Sequence, residues 1–184
     1  MKSTLSAIAI TAGGLLGLAS FGANAADGTI TFTGTVSNTT CSINGTASGT
    51  SADKSITLAP VSTGTLSTMG NVAGTSSPTD LALALTGCTG ATKAIARFEN
   101  GPTVDQNSGN LINAGTATNV QVRLLNAQMQ PINITTNSNN QIATNASTIT
   151  TGAANLKYFA QYYATGTAGP GTVNTSIQYT MQYQ

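Results

Sequence analysis

The stretch Val173-Asn174-Thr175-Ser176-Ile177-Gln178-Tyr179-Thr180-Met181-Gln182-Tyr183-Gln184 decides the fold. From Ile177 onward every second side chain is large: Ile177, Tyr179, Met181 and Tyr183. Their neighbours Gln178, Thr180, Gln182 and Gln184 are polar. Period two marks a half-buried β-strand, because successive side chains of a strand point to opposite faces. The alternation runs to the final residue with no polar tail behind it. It reads as a strand whose open side needs a partner from elsewhere, since a bare edge presents a row of unmet N–H and C=O groups.

A second alternating stretch lies near the other end, Asp27-Gly28-Thr29-Ile30-Thr31-Phe32-Thr33-Gly34-Thr35-Val36. Ile30, Phe32, Gly34 and Val36 share one face; Thr29, Thr31, Thr33 and Thr35 share the other. This strand precedes the first cysteine and is free to extend away from the domain. The two stretches together predict a chain that lends its N-terminal strand to one neighbour and receives a strand from another.

Residues 1–25 read as an export signal. Lys2 is the only charge ahead of an apolar run from Leu5 to Leu18, and Ala23-Asn24-Ala25 gives the small-x-small cleavage pattern. Cleavage after Ala25 is favoured over cleavage after Ala26. The apolar run is short for a bilayer span of about 20 residues.

Taking 25 from 184 leaves 159 residues, a length that suits one domain. Loss of Lys2 leaves five basic and five acidic residues, a formal charge of zero. Such a chain has no basic field to steer nucleic acid, so no nucleic-acid partner is expected. Charged residues are 6% of the chain, against a usual ~25%; Thr, Ser, Asn and Gln carry the polarity instead. An apolar content of 40% with clear alternation argues for a folded domain. The two cysteines, Cys41 and Cys88, read as one disulfide in an exported chain.

Strand-like segments recur between turn formers. They are Thr40 to Ile43, Lys54 to Val61 with Ile56 and Leu58 on one face, Leu81 to Leu85, and Lys93 to Glu99 with Ala94, Ala96 and Phe98 inward. Val120 to Leu124, Ile132 to Ile134 and Leu156 to Tyr162 come after them. Clusters of Gly, Asn, Ser and Pro separate them, and a short helical turn fits Ser62–Gly70. The spacing predicts an all-β sandwich.

Catalytic chemistry is sparse. The chain has no histidine, which removes imidazole general bases and most zinc sites. The mature carboxylates Asp27, Asp53, Asp80, Glu99 and Asp105 form no close pair in sequence. The expectation is no enzyme, no cofactor and no metal. Most of the five tyrosines are expected in the core because of their strand alternation.

The chain resembles the type 1 family of chaperone–usher fimbrial subunits. The likeness rests on Gly28 to Val36 followed by Cys41, on Ala117-Thr118-Asn119-Val120-Gln121-Val122, on Tyr162-Tyr163-Ala164-Thr165-Gly166, and on the terminal Gln182-Tyr183-Gln184. It spans essentially the whole mature chain. It implies an incomplete immunoglobulin-like β-sandwich that lacks its last strand and is completed by a donor strand from a neighbouring subunit. On that resemblance residues 26–37 are the donor-strand extension and 38–184 the pilin domain. Ile30, Phe32, Gly34 and Val36 would enter a neighbour's groove, Gly34 where only a hydrogen fits. Ile177, Tyr179, Met181, Tyr183 and Gln184 would line the groove on the C-terminal strand, with the Gln184 carboxylate held by basic residues of a chaperone. The disulfide would join the first strand to the next. The implied partners are identical or related pilin subunits, a periplasmic chaperone and an outer-membrane usher. The implied role is a major-type structural subunit of a surface fimbrium supporting cell adhesion and biofilm. Two alternatives stay open: a minor or adaptor subunit of the same fold, and a self-contained secreted, lectin-like β-sandwich binding module.

Overall fold

A computed structural model describes residues 30–33 and 40–184. The export signal, its cleavage site, Gly34 and Val36 lie outside the described residues. The chain divides into two units, Met1–Thr35 and Val36–Gln184. In the first, Ile30 to Thr33 carry no strand ladder, and Ile30 and Phe32 are 80% and 89% exposed. Two large apolar side chains bare to water are the expected state of a strand that has no partner.

Among the described residues the second unit holds nine strands in two sheets. They are β1 (Thr40–Ile43), β2 (Val72–Ala73), β3 (Leu81–Thr89), β4 (Lys93–Phe98), β5 (Leu111–Ile112), β6 (Val120–Leu125), β7 (Ser147–Thr148), β8 (Ala154–Ala164) and β9 (Tyr179–Tyr183). The larger sheet runs β1-β3-β8-β6-β5, with β2 also on β8; the smaller runs β7-β4-β9. Every pairing is antiparallel. A 3-10 turn at Thr63–Leu66 falls inside the expected helical turn, capped where Ser62 Oγ accepts from Gly64 N–H. One four-residue helix, α1, spans Ile142–Asn145.

The core lies between the sheets. Leu83, Leu85, Val122, Leu124, Leu156 and Tyr158 face Ala94, Ala96 and Phe98. Phe98 and Tyr158 meet edge to face with ring centroids 5.0 Å apart. The Leu81-Leu83-Leu85 alternation would turn Cys88 outward, yet Cys88 is buried. The register against β1 slips there, from Ser42↔Thr86 to Thr40↔Thr89, around Gly87 at φ +63°. One extra residue flips the phase of the strand, and glycine accepts the left-handed backbone that the bulge needs. Cys88 thereby reaches Cys41 of β1, and the two form the expected disulfide.

Two expected strands differ. Lys54 to Val61 is not a strand and joins no ladder among the described residues. Ile132 to Ile134 forms only isolated bridges, Leu125↔Pro131 and Asn133↔Ser138, while Ile132 and Ile134 are buried as core pegs. Pro131 lacks the N–H that a ladder would use at the start of that segment.

Candidate functional site

A cleft of about 1070 Å³ opens along the sandwich between two extended segments. One wall is residues 173–183. Its odd positions Val173, Thr175, Ile177, Tyr179, Met181 and Tyr183 are half-buried, while Asn174, Ser176, Gln178 and Thr180 are exposed. All but Thr175 pack against the core. The lead-in is tied down by Ala114 N–H to Asn174 O (2.8 Å), Ala117 N–H to Thr172 O (3.0 Å) and Glu99 N–H to Gln178 O (2.9 Å). Strand β9 then pairs with β4 from Phe98↔Tyr179 to Ala94↔Tyr183. At its end Gln184 O accepts from Thr92 N–H (2.7 Å) and Lys93 N–H (3.0 Å). On its other side β9 pairs with no described residue.

The opposite wall is residues 51–58. Ala52 is buried and Ile56 and Leu58 are half-buried, with exposed neighbours between them. Lys54 Nζ pins the segment by donating to Ala82 O (2.9 Å) and Thr79 O (3.3 Å). None of its backbone groups from 51 to 58 makes a backbone hydrogen bond to a described residue. The segment expected as a strand therefore has no ladder partner among the described residues. Core residues Leu83, Phe98, Leu124 and Ala160 form the floor.

Two polar groups mark the cleft. Tyr179 Oη crosses it and donates to Ala52 O at 2.9 Å. Thr175 Oγ1 is buried and has no partner among the described residues. Burial pushes the phenols of Tyr179 and Tyr183 up from their usual range; the charge of Asp53 adds to the shift at Tyr179, and Tyr179 adds to that at Tyr183. Both rings stay neutral near pH 7 and act as apolar surface.

The structure gathers the expected groove residues Ile177, Tyr179, Met181 and Tyr183 on one wall. Gln184 is exposed at its end. Ile30 and Phe32 belong to the other unit. Sequence reasoning missed Ala52 and Thr175. Thr175 continues the same alternation two steps upstream of Ile177, so the signal was present. Ala52 carries none, because a lone alanine in a Ser- and Thr-rich stretch has no period. The cleft offers apolar side chains and two backbone rows that pair with no described strand, a surface chemically suited to one added β-strand.

An immunoglobulin-like sandwich with one strand place left open defines a pilin-type subunit. Residues 58–184 match the model of the family described as Type-1 fimbrial protein, A. The chain is 43% identical to the major fimbrial subunit SMF-1 of Stenotrophomonas maltophilia over 92% of this chain and 99% of that one. It is 38% identical to the F17 fimbrial protein of Escherichia coli, covering 93% and 96%. Among solved structures it is similar to an antigen and type I fimbria protein of Burkholderia pseudomallei, with TM-score 0.51 and 25% identity over 72% of this chain and 84% of that one. It also shares its fold with a P pilus rod subunit, with TM-score 0.50 and 24% identity over 85% and 100%. The chain belongs to the type-1 fimbrial protein family. It is a structural subunit of a surface fimbria, it polymerises with related subunits, and its relatives are structural fimbrial proteins rather than enzymes.

Proposed function

We propose that this subunit polymerises by strand exchange: its cleft receives residues 27–36 of a neighbour, and its own residues 27–36 fill the cleft of the next. The observation that carries this reading is the pair of backbone rows on β9 and residues 51–58, neither paired with a described strand, on the two walls of one cleft. Ile30 and Phe32, bare to water, have the chemistry to fill it. Each large side chain moved from water into the cleft contributes roughly 1.5–3 kcal/mol. Each strand hydrogen bond adds about 1 kcal/mol. A head-to-tail contact does not close on itself, so it grows into a filament.

An open cleft of this kind is an aggregation site before assembly. A periplasmic chaperone that lends a strand covers it, and an outer-membrane usher exchanges that strand for the neighbour's. Residues 1–25 export the chain and are removed. Deleting residues 27–36 tests the mechanism. The deleted subunit should still be recovered from the periplasm with a chaperone and should extend no fibre. Fibres of normal length from the deleted subunit would refute strand exchange.

A further inference from the structure

The wall that carries β9 is unevenly held. Strand β9 pairs with β4 from Tyr179 onward, and Glu99 N–H reaches back as far as Gln178 O at 2.9 Å. Residues 175–177 make no hydrogen bond to a described residue. Upstream of them the chain is gripped again, by the loop that follows β5. The centre of that grip is the half-buried Asn113. Its Oδ1 accepts from Gly115 N–H and Asn174 N–H, each at 2.8 Å. Its Nδ2 donates to Ala117 O at 2.9 Å and to Thr172 O at 3.2 Å. One side chain thus folds its own loop and holds the lead-in to the wall at two points. The loop comes this close because Gly115 has no Cβ to meet Thr172 O. Thr116 and Thr172 lock the same contact: Thr172 N–H donates to Thr116 Oγ1 at 2.9 Å, and Thr116 N–H donates to Thr172 Oγ1 at 3.2 Å.

Asparagine suits this place because its amide supplies two donors and two acceptor lone pairs, and here all four are used. In Asn113→Asp the two N–H partners would keep an acceptor, but the two carbonyls would face an oxygen. With no hydrogen bond of its own to a described residue, the span 175–177 takes its line from its two ends, Asn174 and Gln178. That part of the cleft wall is therefore positioned from outside the cleft. We infer that Asn113 is a positioning residue for polymerisation: it keeps residues 175–177 in line with β9 while the cleft changes strands, so that the incoming strand meets a wall of full length. The inference rests on strand exchange as proposed above. Once a strand is seated, its own ladder holds the wall, and the Asn113 grip is dispensable there. The grip thus governs how fast subunits join, and not how firmly they stay joined.

Two rates measured on the full chain test this: fibre growth from chaperone-held subunits, followed by electron microscopy, and dissociation of finished fibres in denaturant. Asn113→Ala should slow growth about tenfold, the factor that corresponds to one net hydrogen bond. It should leave the dissociation rate of finished fibres unchanged. Growth and dissociation altered alike would mean a merely structural amide and overturn the positioning role. Asn126→Ala is the control, because the Asn126 amide also makes four hydrogen bonds but lies outside the cleft lining. At equal concentrations of recovered subunit it should grow at the parent rate; slowing equal to that of Asn113→Ala overturns the inference. Asn113→Asp, which keeps the two accepting bonds, makes the same comparison if Asn113→Ala yields no subunit. Parent-rate growth by the Asn113 variants overturns the inference too. Deleting residues 27–36 separates it from the reading beneath it. Normal fibres from the deleted chain sink strand exchange itself. No fibres from the deleted chain, with parent-rate growth of the Asn113 variants, sink the positioning role alone.

Discussion

The Tyr158 hydroxyl of β8 closes on both backbone groups of Ala96 in β4, accepting from the Ala96 N–H at 3.0 Å and donating to the Ala96 C=O at 3.4 Å. Strand β7 is two residues long and pairs only with Lys93 and Ala94, so at Ala96 no described strand stands on that side of β4. A side chain of the larger sheet takes the place of the missing strand, aided by Asn140 Nδ2, which also donates to Ala96 O at 2.8 Å.

That arrangement makes stability depend on alkaline pH. Burial pushes the Tyr158 phenol up to about 12, and the hydrogen bond to Ala96 opposes the shift. A raised folded value means the stabilisation is complete below the unfolded value of about 10 and is lost as pH climbs to about 12. The loss should reach roughly 2–3 kcal/mol for a shift of this size. Thermal melting of assembled protein across that window should fall, and Tyr158→Phe should flatten most of the slope. The variant should itself cost about 1–3 kcal/mol at neutral pH, because the Ala96 N–H loses its partner. An unchanged slope would mean another group titrates.

Placing residues 27–36 after Gln184 through a short flexible linker should turn the polymer into a stable monomer. The strand becomes intramolecular, at an effective concentration in the millimolar range. Melting and electron microscopy compare grafted and ungrafted forms; equal stability as monomers would favour a self-contained module. In the ungrafted chain Gly34→Asn should weaken polymerisation more than Thr33→Asn, since alternation turns position 34 inward and 33 to water.

Gly115 should tolerate no side chain. A Cβ there would overlap the Thr172 carbonyl oxygen, which accepts from Ala117 N–H and seats the lead-in to one cleft wall. Gly115→Ala should destabilise the subunit by more than the ~0.5 kcal/mol of an ordinary surface change, and fibre yield should fall with it. A yield equal to the parent would show that the wall adjusts without cost.

Alkylation under denaturing, non-reducing conditions should label neither Cys41 nor Cys88. The bond spans 47 positions, for which loop entropy predicts about 4 kcal/mol of stabilisation. Replacing both with Ala should lower subunit yield before it alters fibre shape. Two labelled thiols would overturn the pairing.

Much of this was legible in the chain. Period two found β1, β3, β4, β6, β8 and β9, because each has at least one face on a single core. It failed where both faces are covered. Ile95 is buried between Ala94 and Ala96, and Gln121 is buried between Val120 and Val122. Gln121 is roofed by a loop: its Nε2 donates to Asp105 Oδ2 at 2.6 Å, and its Oε1 accepts from Ser108 Oγ and Asn110 Nδ2. Loop cover of that kind leaves no periodic trace. The two-residue strands β2, β5 and β7 are too short to show a period at all. One wall of the cleft was legible throughout; on the other the period showed Ile56 and Leu58 but not Ala52, which has no periodic neighbour.

The bulge at Gly87 has a mechanical consequence. In a fibre joined through residues 27–36, tension passes along the donated segment and enters the next domain at Thr40. Peeling β1 from the sheet edge one hydrogen bond at a time would be the easy route to failure. Cys41 is the second residue of β1, and its sulfur is bonded to Cys88 of β3, next to the centre of the larger sheet. The load therefore leaves β1 almost at once through a covalent link. What remains to yield is the seated strand, pulled in shear along its whole length, so the joint breaks before the domain does. Force spectroscopy of single fibres with and without reductant reads this directly: reduction should add early, low-force unravelling events that oxidised fibres lack.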